Sequence, residues 1–331
     1  MNLPPKANTT FVIVNIVEAA DGSLWINTSW GLVRRLPDTR LVFYAYETPI
    51  NSGNSSLLAD KSGRLWMTRQ DQILVFKPEP IESFAEAGKI IEKSLAPTDI
   101  IELKPEETVQ LPKKGGEIFR LTNSTFIEQM NSEKLFQTAA GNIWITAESN
   151  LLEIADGILH LHTDAEGLPN VMSRMAEDAA GNLWIGGHAE LARLDRRGLI
   201  TFGTADGTNS SRFFAINEGA DGTLFFAGRD YFLNRFDGKK FQTLRPQIDP
   251  NSQNIWTSRY SFLASNGDWW ILTGDALYRF SGVTDFAQLA NKPPTKIYAT
   301  EDGLKSNGMF QIFEDSGGDI WVSTRRRQKN F

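Results

Sequence analysis

Histidine, cysteine and paired carboxylates are the side chains that most often bind metal ions or carry catalysis, and this sequence is poor in the first two. It has 3 histidines and 0 cysteines, which excludes disulfides, thiolate metal sites and cysteine nucleophiles. His160 and His162 alternate along one predicted strand, so both can face the same side, whereas His188 stands alone in a loop. Two histidines without assignable carboxylate partners do not define a metal site, and the sequence has no phosphate-binding loop, nucleophile elbow or HExxH motif. We therefore predict no catalytic residue, no metal and no cofactor for this chain.

Aromatic and charged residues in the predicted loops indicate a different chemistry, which is the binding of a sugar or another polar ligand. Flat aromatic rings stack on the apolar faces of sugars, and Arg, Asp and Glu exchange hydrogen bonds with hydroxyl or acidic groups. The candidate ligand-binding residues are Trp30, Arg69, Glu148, Arg174, His188, Arg229, Tyr231, Trp256, Arg259 and Asp275. They lie far apart in the sequence, so they can form a site only if the fold brings their loops together.

A repeated sequence unit provides such a fold. A glycine, a polar residue, a leucine-like residue, an aromatic residue and an apolar residue recur in this order, as in Gly181–Ile185. The aromatic position occurs seven times, at Trp25, Trp66, Trp144, Trp184, Phe225, Trp270 and Trp321. Most intervals are close to the roughly 40–45 residues of a four-stranded propeller blade, and short β-rich runs in residues 171–203 are separated by Gly, Asp and Asn turns. The sequence therefore predicts an all-β, seven-bladed β-propeller over residues 1–331, with these aromatic residues forming the core between blades.

Two regions depart from the repeat. Residues 78–115 are rich in Pro, Glu and Lys and fall between the third and fourth strands of the second repeat, where a tight turn is expected. We interpret them as an insertion on the face opposite the ligand loops, either a solvated hairpin extension or a docking element, with a degenerate eighth blade as the alternative. The last repeat lacks its third and fourth strands after Thr324. We therefore expect an incomplete last blade in this chain and further chain beyond it.

The propeller architecture also predicts where a ligand binds and what stabilises each blade. The loops between second and third strands share a face with the connections from one blade to the next, and this face converges on the central channel, where binding is expected. An arginine follows the third-strand leucine in four repeats, at Arg34, Arg193, Arg235 and Arg279. We predict that each pairs with the Asp or Glu that ends the first strand.

The connectors between repeats carry a family resemblance. Residues 163–170 and 300–307 contain a Gly-Leu pair followed by Asn, and a strand, an acidic turn and the aromatic signature come after them. Together with the third-strand motif Gly31–Arg34, this order is similar to the two-component regulator propeller repeat. The resemblance implies a bacterial, extracytoplasmic and non-catalytic sensor that commonly detects carbohydrate fragments. It also implies a parent chain with further propeller, immunoglobulin-like and histidine kinase domains, and possible dimerisation.

Composition narrows the remaining function classes. The formal net charge of −6 argues against a nucleic-acid partner, because such proteins usually carry a clustered basic surface. No apolar run reaches the about 18 residues of a membrane span, and residues 1–10 are too polar for a signal peptide. Two alternatives to the sensor stay open, a protein-interaction scaffold and a propeller lyase. A partner packed on the insertion would favour the scaffold, and a carboxylate–histidine or metal cluster in the channel would favour the lyase.

Overall fold

The computed structural model describes residues 13–46, 55–69, 72–84, 91–123, 125, 127, 134–147, 150–169, 172, 174–188, 190–195, 197–210, 212–252, 260–304 and 309–324. Within these ranges the regular structure is β-strand, with short 3-10 helices at Ile81–Ser83, Asp164–Glu166, Thr204–Asp206, Arg229–Tyr231, Phe286–Ala290 and Thr300–Asp302. None of the helices in this part of the chain has the length and apolar character needed to cross a membrane.

The strands form six antiparallel blades and a two-stranded ribbon, in chain order. Blade 1 contains β1 (Ile13–Glu18), β2 (Leu24–Thr28), β3 (Gly31–Arg35) and β4 (Leu41–Ala45). Blade 2 contains β5 (Leu57–Ala59), β6 (Leu65–Arg69), β7 (Gln72–Phe76) and β10 (Ile118–Thr122). Strands β8 (Ile91–Ser94) and β9 (Asp99–Glu102) lie between β7 and β10 in the chain. Blade 3 contains β11 (Leu135–Gln137), β12 (Ile143–Ala147), β13 (Asn150–Ala155) and β14 (Ile158–His162).

Blade 4 contains β15 (Arg174–Glu177), β16 (Leu183–Gly186), β17 (Leu191–Asp195) and β18 (Gly198–Phe202). Blade 5 contains β19 (Phe213–Glu218), β20 (Leu224–Gly228), β21 (Leu233–Phe236) and β22 (Phe241–Leu244). Blade 6 contains β23 (Ser261–Leu263), β24 (Trp269–Leu272), β25 (Leu277–Phe280) and β26 (Lys296–Tyr298). The ribbon consists of β27 (Met309–Glu314) and β28 (Ile320–Thr324), and β27 contacts both β1 and β24. The predicted all-β propeller is confirmed.

The repeated aromatic residues pack between neighbouring blades. Trp25 joins a cluster with Leu65 and Leu74 of blade 2, and Trp184 joins one with Phe213 and Phe226 of blade 5. Full burial of an aromatic side chain of this size stabilises the folded state by about 1.5–3 kcal/mol or more. The five signature tryptophans of blades 1, 2, 3, 4 and 6 are 0–7% exposed, at Trp25, Trp66, Trp144, Trp184 and Trp270. Phe225 and Trp321 are half-buried, and Trp321 packs against the first blade, where the ring of strands returns to its start.

An aspartate that ends the first strand ties the turn to the signature tryptophan in three repeats. In blade 4, Asp178 Oδ1 accepts hydrogen bonds from the backbone N–H groups of Ala180 and Asn182 across the turn, in which Gly181 takes a φ of +79°. Its Oδ2 accepts a 2.8 Å bond from the indole N–H of Trp184. The same bond joins Asp60 to Trp66 and Asp315 to Trp321. Where this position holds Ala19, Thr138 or Ala264, the indole nitrogens of Trp25, Trp144 and Trp270 have no hydrogen-bond partner in the described structure.

The predicted pairing of the repeated arginines with these acidic residues is therefore wrong in its partners. Arg34 binds Asp21 and Arg279 binds Asp268, both within the turn after the first strand. Arg193 binds Asp195 of its own strand. In blade 4 the aspartate that ends the first strand is already occupied by the indole and the turn, and in blades 1 and 6 alanine stands at that position. In all three blades the guanidinium lies over the signature aromatic ring, at 5.1–5.6 Å. Arg235 bonds to Gln242 and lies over Phe286.

The described residues of the segment 91–115 form a belt along the outer edges of three blades. Strand β8 pairs in parallel with β4 of blade 1, and β9 pairs in parallel with β10 of blade 2. Beyond β9, Thr108 forms an antiparallel bridge with Ile158 of blade 3. The belt buries Leu95 and Leu103 against these blades. Its described residues form no sheet of their own, which distinguishes the belt from an eighth blade.

Candidate functional site

The first strands of all six blades and of the ribbon surround a central cavity of about 400 Å³. We call the end where second strands connect to third strands the upper end, and the end with the first turns of the blades the lower end. Arg174 lies opposite Gly186, the last residue of β16, so it is at the upper end. Glu177 on the same strand lies opposite Leu183 and is at the lower end. The same register therefore places one charged residue at each end of β15.

Residues at equivalent positions of the repeats face the cavity at one level. Each of them precedes the signature aromatic residue of its repeat by the same number of positions in the sequence. At this level the cavity is lined by Asn15, Ser56, Lys134, Arg174 and Ala215. Lys134 is 8% exposed and its backbone pairs with Thr146 near the end of β12, so it belongs to the upper end. Blades 3 and 4 therefore contribute two cations, whereas blades 1 and 2 contribute an amide and a hydroxyl.

Three basic residues of blades 4 and 5 meet on the upper face beside the channel. His188 forms an isolated antiparallel bridge with Arg212, and the backbone N–H of Arg229 donates a 3.0 Å bond to the carbonyl of Arg212. Burial, together with the positive charge of Arg212, lowers the pKa of His188 below its ordinary value. His188 is therefore neutral near pH 7. A neutral imidazole near the charge of Arg212 can still donate a hydrogen bond to a polar ligand.

The turn that carries Arg229 has an unusual backbone. Asp230 and Tyr231 both take left-handed φ values, of +58° and +64°, which are uncommon for residues other than glycine. A Cβ atom at Gly228 would lie 2.3 Å from the Cβ of Ser210, so only glycine fits there. Backbone strain of this kind tends to be kept at functional sites. The predicted ligand residue Tyr231, however, is 3% exposed and packs edge-on against Tyr260, so its ring belongs to the core.

The other predicted ligand residues have mixed positions. Trp30 is half-buried against the core of blade 1. Asp275 lies in the loop between β24 and β25, where it accepts a 2.7 Å hydrogen bond from Thr273. Arg69 ends β6 at the upper end, and its side chain is not described. Glu148, Trp256 and Arg259 lie outside the described residues. The structure thus brings His188 and Arg229 together through Arg212 and places Arg174 in the channel.

Sequence reasoning missed Lys134 as a site residue, although a usable signal was present. Lys134 precedes Trp144 by the same interval as Arg174 precedes Trp184. Because repeats in register place equivalent residues at one level of the channel, the prediction of Arg174 implied Lys134 as well.

The two histidines of β14 lie on the outer strand of blade 3, away from the channel. His160 Nδ1 is 3.0 Å from Glu106 of the belt, and His162 Nδ1 is 3.1 Å from Glu166. Hydrogen bonding to Glu153, which is 3.4 Å from Nε2, raises the pKa of His162, and Glu166 adds to the effect. No group of three His, Cys, Asp or Glu side chains suited to a metal ion is found in the described ranges.

Comparison with known proteins supports the resemblance inferred from the repeats. The family model described as "Two component regulator propeller" matches residues 303–326. The extracellular domain of a hybrid two component system from B. thetaiotaomicron superposes with a TM-score of 0.65 at 15% identity, covering 97% of this chain and 39% of that one. The chain thus spans well under half the length of that structure. No curated protein matches the sequence.

Other propellers are similar in fold to a comparable degree. A catalytically inactive virginiamycin B lyase from Staphylococcus aureus, solved with quinupristin, gives a TM-score of 0.63 at 16% identity, with 97% of this chain and 94% of that one covered. The WD40 propeller domain of Doa1 gives 0.60 at 13% identity, with 96% and 92% covered. At these identities the structural matches establish the propeller fold alone.

Proposed function

We propose that this chain is the ligand-sensing, non-catalytic propeller of a bacterial two-component signalling receptor, and that its ligand is a carbohydrate fragment. The observation that carries this proposal is the cavity of about 400 Å³ at the centre of the ring. Its volume falls within the about 300–1,000 Å³ of small-molecule sites. The family-model match in residues 303–326 supports the signalling role.

An extracytoplasmic location and a longer parent protein are part of the same proposal. The superposition on the extracellular domain of a hybrid two component system supports both, since this chain covers 39% of that structure. In such a receptor, the propeller would pass the bound state of the ligand to an output domain elsewhere in the parent chain.

We also propose that the ribbon of β27 and β28 is the beginning of a seventh blade. Its contacts repeat those between other blades. The N–H and hydroxyl of Ser265 in blade 6 donate 2.8 Å bonds to Glu314 of the ribbon. The N–H and hydroxyl of Ser316 in the ribbon donate 2.6 Å bonds to Glu18 of blade 1 in the same way. The ribbon thus contacts blade 6 on one side and blade 1 on the other, as a blade between them would. This arrangement supports a ring of seven units.

A thermal-shift screen of neutral and uronic-acid oligosaccharides tests the proposed function. A ligand at about 100 times its Kd stabilises the folded state by about 2.7 kcal/mol, which gives a measurable rise in Tm. We expect at least one oligosaccharide to raise Tm, and Arg229→Ala to reduce the rise. Lys239→Ala, in the exposed turn between β21 and β22, is the matched control and should keep the full shift. A panel without any stabilising member would refute carbohydrate sensing.

A further inference from the structure

We propose that the central channel binds the ring of a neutral sugar, with the amides of Asn15 and Asn217 as hydrogen-bonding groups and Phe136 and Phe313 as aromatic surfaces. The site rests on the proposed sensing function and narrows its ligand to an uncharged sugar held inside the ring of blades. The loop residues of the upper face are not part of it.

The side-chain amide of Asn15 lies in the channel wall without a protein partner. Asn15 is on β1, is 8% exposed and lines the cavity. Its backbone pairs with Asn27 of β2, but no described residue forms a hydrogen bond with the side-chain amide, and neither amide atom is sealed from the cavity. An amide that is largely buried is normally hydrogen-bonded. A sugar hydroxyl in the cavity provides both the donor and the acceptor that this amide lacks.

A second amide approaches the cavity from another wall. Asn217 of β19 is 7% exposed and lines the cavity. Its Nδ2 donates a 2.8 Å hydrogen bond to the hydroxyl of Ser261, which fixes the orientation of the amide, and no described residue donates to its Oδ1. Blade 5 is separated from blade 1 by blades 2–4 on one side and by blade 6 and the ribbon on the other. The amides of Asn15 and Asn217 are therefore placed to hold two different edges of one ligand.

Phenylalanines supply apolar surface at one level of the channel. Phe136 of blade 3, Phe262 of blade 6 and Phe313 of the ribbon each pair with the signature tryptophan of their own unit, so they lie at the same height. All three are half-buried and line the cavity. Blade 3 is separated from the ribbon by blades 1 and 2 in one direction and by blades 4–6 in the other. Aromatic surface is thus present on opposite walls, an arrangement suited to the two apolar faces of a sugar ring.

The charged residues of the channel do not call for an ionic ligand. Lys134 and Arg174 line the cavity, but both already interact with other groups of the chain. Glu218, the other charged residue among the described lining residues, lies at the lower end, where β20 begins. The hydroxyl of Ser56 accepts a 3.2 Å bond from the N–H of Leu135 and can still donate. Amides and a hydroxyl match sugar hydroxyls, which both donate and accept, whereas a carboxylate only accepts.

Isothermal titration calorimetry with neutral and acidic disaccharides tests the proposal. The probes are cellobiose, maltose, lactose and galactobiose, titrated into the whole chain at low and high salt. We expect at least one to bind with an affinity that salt changes by less than about twofold, since no ion pair contributes. Oxidation of the C6 hydroxyl groups of that disaccharide to carboxylates should weaken binding about tenfold or more, because the channel then buries a charge without a free counter-charge.

Variants assign the binding to the channel. Asn15→Leu and Asn217→Leu keep the approximate side-chain volume and remove the hydrogen bonds, so each should weaken binding about tenfold. Phe136→Leu should also weaken it, because an aromatic face is lost. Asn291→Leu, in the exposed segment between β25 and β26, is the matched control and should bind as the unchanged chain does. The Tm of each variant without sugar shows whether the fold is kept, and Asn15→Leu breaks no side-chain hydrogen bond of the described structure.

The outcomes separate this site from the sensing function. Unchanged affinity in both asparagine variants would overturn the channel site, and tighter binding of the oxidised disaccharide would overturn the neutral ligand; carbohydrate sensing stands in either case. The same holds if none of the four neutral probes binds while uronic-acid oligosaccharides raise Tm in the screen. If no neutral or acidic sugar binds in either assay, the site and the sensing function are both refuted.

Discussion

Removal of Asp178 should cost more stability than removal of any turn aspartate that has no indole partner. Asp178 accepts bonds from two turn N–H groups and from the indole of Trp184 at 2.8 Å. Burial opposes ionisation of this carboxyl, but the hydrogen bonds from Asn182 and Trp184 outweigh it and lower its pKa. The substitution Asp178→Ala leaves the indole N–H, which is part of a 3% exposed side chain, without an acceptor.

The expected magnitude follows from a matched control. Asp221 occupies the corresponding turn of blade 5, where it accepts bonds from the N–H and hydroxyl of Thr223. The signature residue there is Phe225, which has no N–H group. Asp221→Ala therefore loses turn bonds only, about 1 kcal/mol. Asp178→Ala loses the turn bonds and also leaves a buried donor unsatisfied, which costs a further 1–3 kcal/mol or about 2–4 kcal/mol in total.

Urea denaturation followed by tryptophan fluorescence measures both variants against the unchanged chain. The slope of the unfolding free energy against urea concentration scales with the surface that unfolding exposes. Equal slopes would therefore show that the same part of the chain unfolds in each variant. If the two substitutions reduce the unfolding free energy equally, within about 0.5 kcal/mol, the hydrogen bond to the indole makes no separate contribution to stability and the reasoning is refuted.

Three further outcomes can be measured by the same methods. Ala19→Asp should supply the missing acceptor to the signature tryptophan of blade 1 and raise the unfolding free energy by about 1 kcal/mol; an unchanged or lower Tm would contradict this. The pKa of His162 is raised in the folded state by Glu153 and Glu166, so its contribution to stability is complete below the unfolded pKa and is lost as pH rises through the folded one. The loss of stability on raising the pH from 5 to 8 should therefore be smaller in His162→Gln, and an identical pH profile would exclude the effect. Leu103→Ala should remove about 2–5 kcal/mol from a 1% exposed site in the belt, whereas Ile100→Ala at 62% exposure should change stability by less than about 0.5 kcal/mol.

The sequence was sufficient to predict the propeller because its signal is repeated and local. The signature of glycine, leucine and aromatic residue marks the turn and second strand of every repeat, and each copy reinforces the others. The position of Arg174 in the channel follows from the same register. The described structure contains six blades, and the last signature, at Trp321, belongs to a two-stranded ribbon, so the number of seven blades stays a prediction.

The belt and the arginine partners could not be predicted in the same way. Strand β8 pairs in parallel with β4, which lies far before it in the sequence, and β9 pairs in parallel with β10, from which the rest of the belt separates it. In addition, strands of four residues with charged positions carry little periodic signal. The partner of Arg193 depended on competition for one carboxylate, whereas blades 1 and 6 hold Ala19 and Ala264 where Asp178 stands in blade 4. Since Asp178 is occupied by Trp184 and the turn, Arg193 takes a different partner, and a pairing rule based on charge alone does not contain that competition.

The belt makes the two halves of the ring unequal in their resistance to local opening. Blades 1, 2 and 3 are joined at their outer edges by main-chain hydrogen bonds from one continuous segment, so none of these three can separate from the other two without breaking that pairing. Blades 4 to 6 and the ribbon have no such segment along their outer edges in the described residues, and the main-chain pairing between blades 4 and 5 is the single bridge of His188 and Arg212. Amide hydrogen exchange should therefore divide the propeller into two cooperative units, with the slowest-exchanging strands in the belted half. A signal that loosens or tightens the ring upon binding would then be expressed mainly in the unbelted half, next to the upper face of blades 4 and 5.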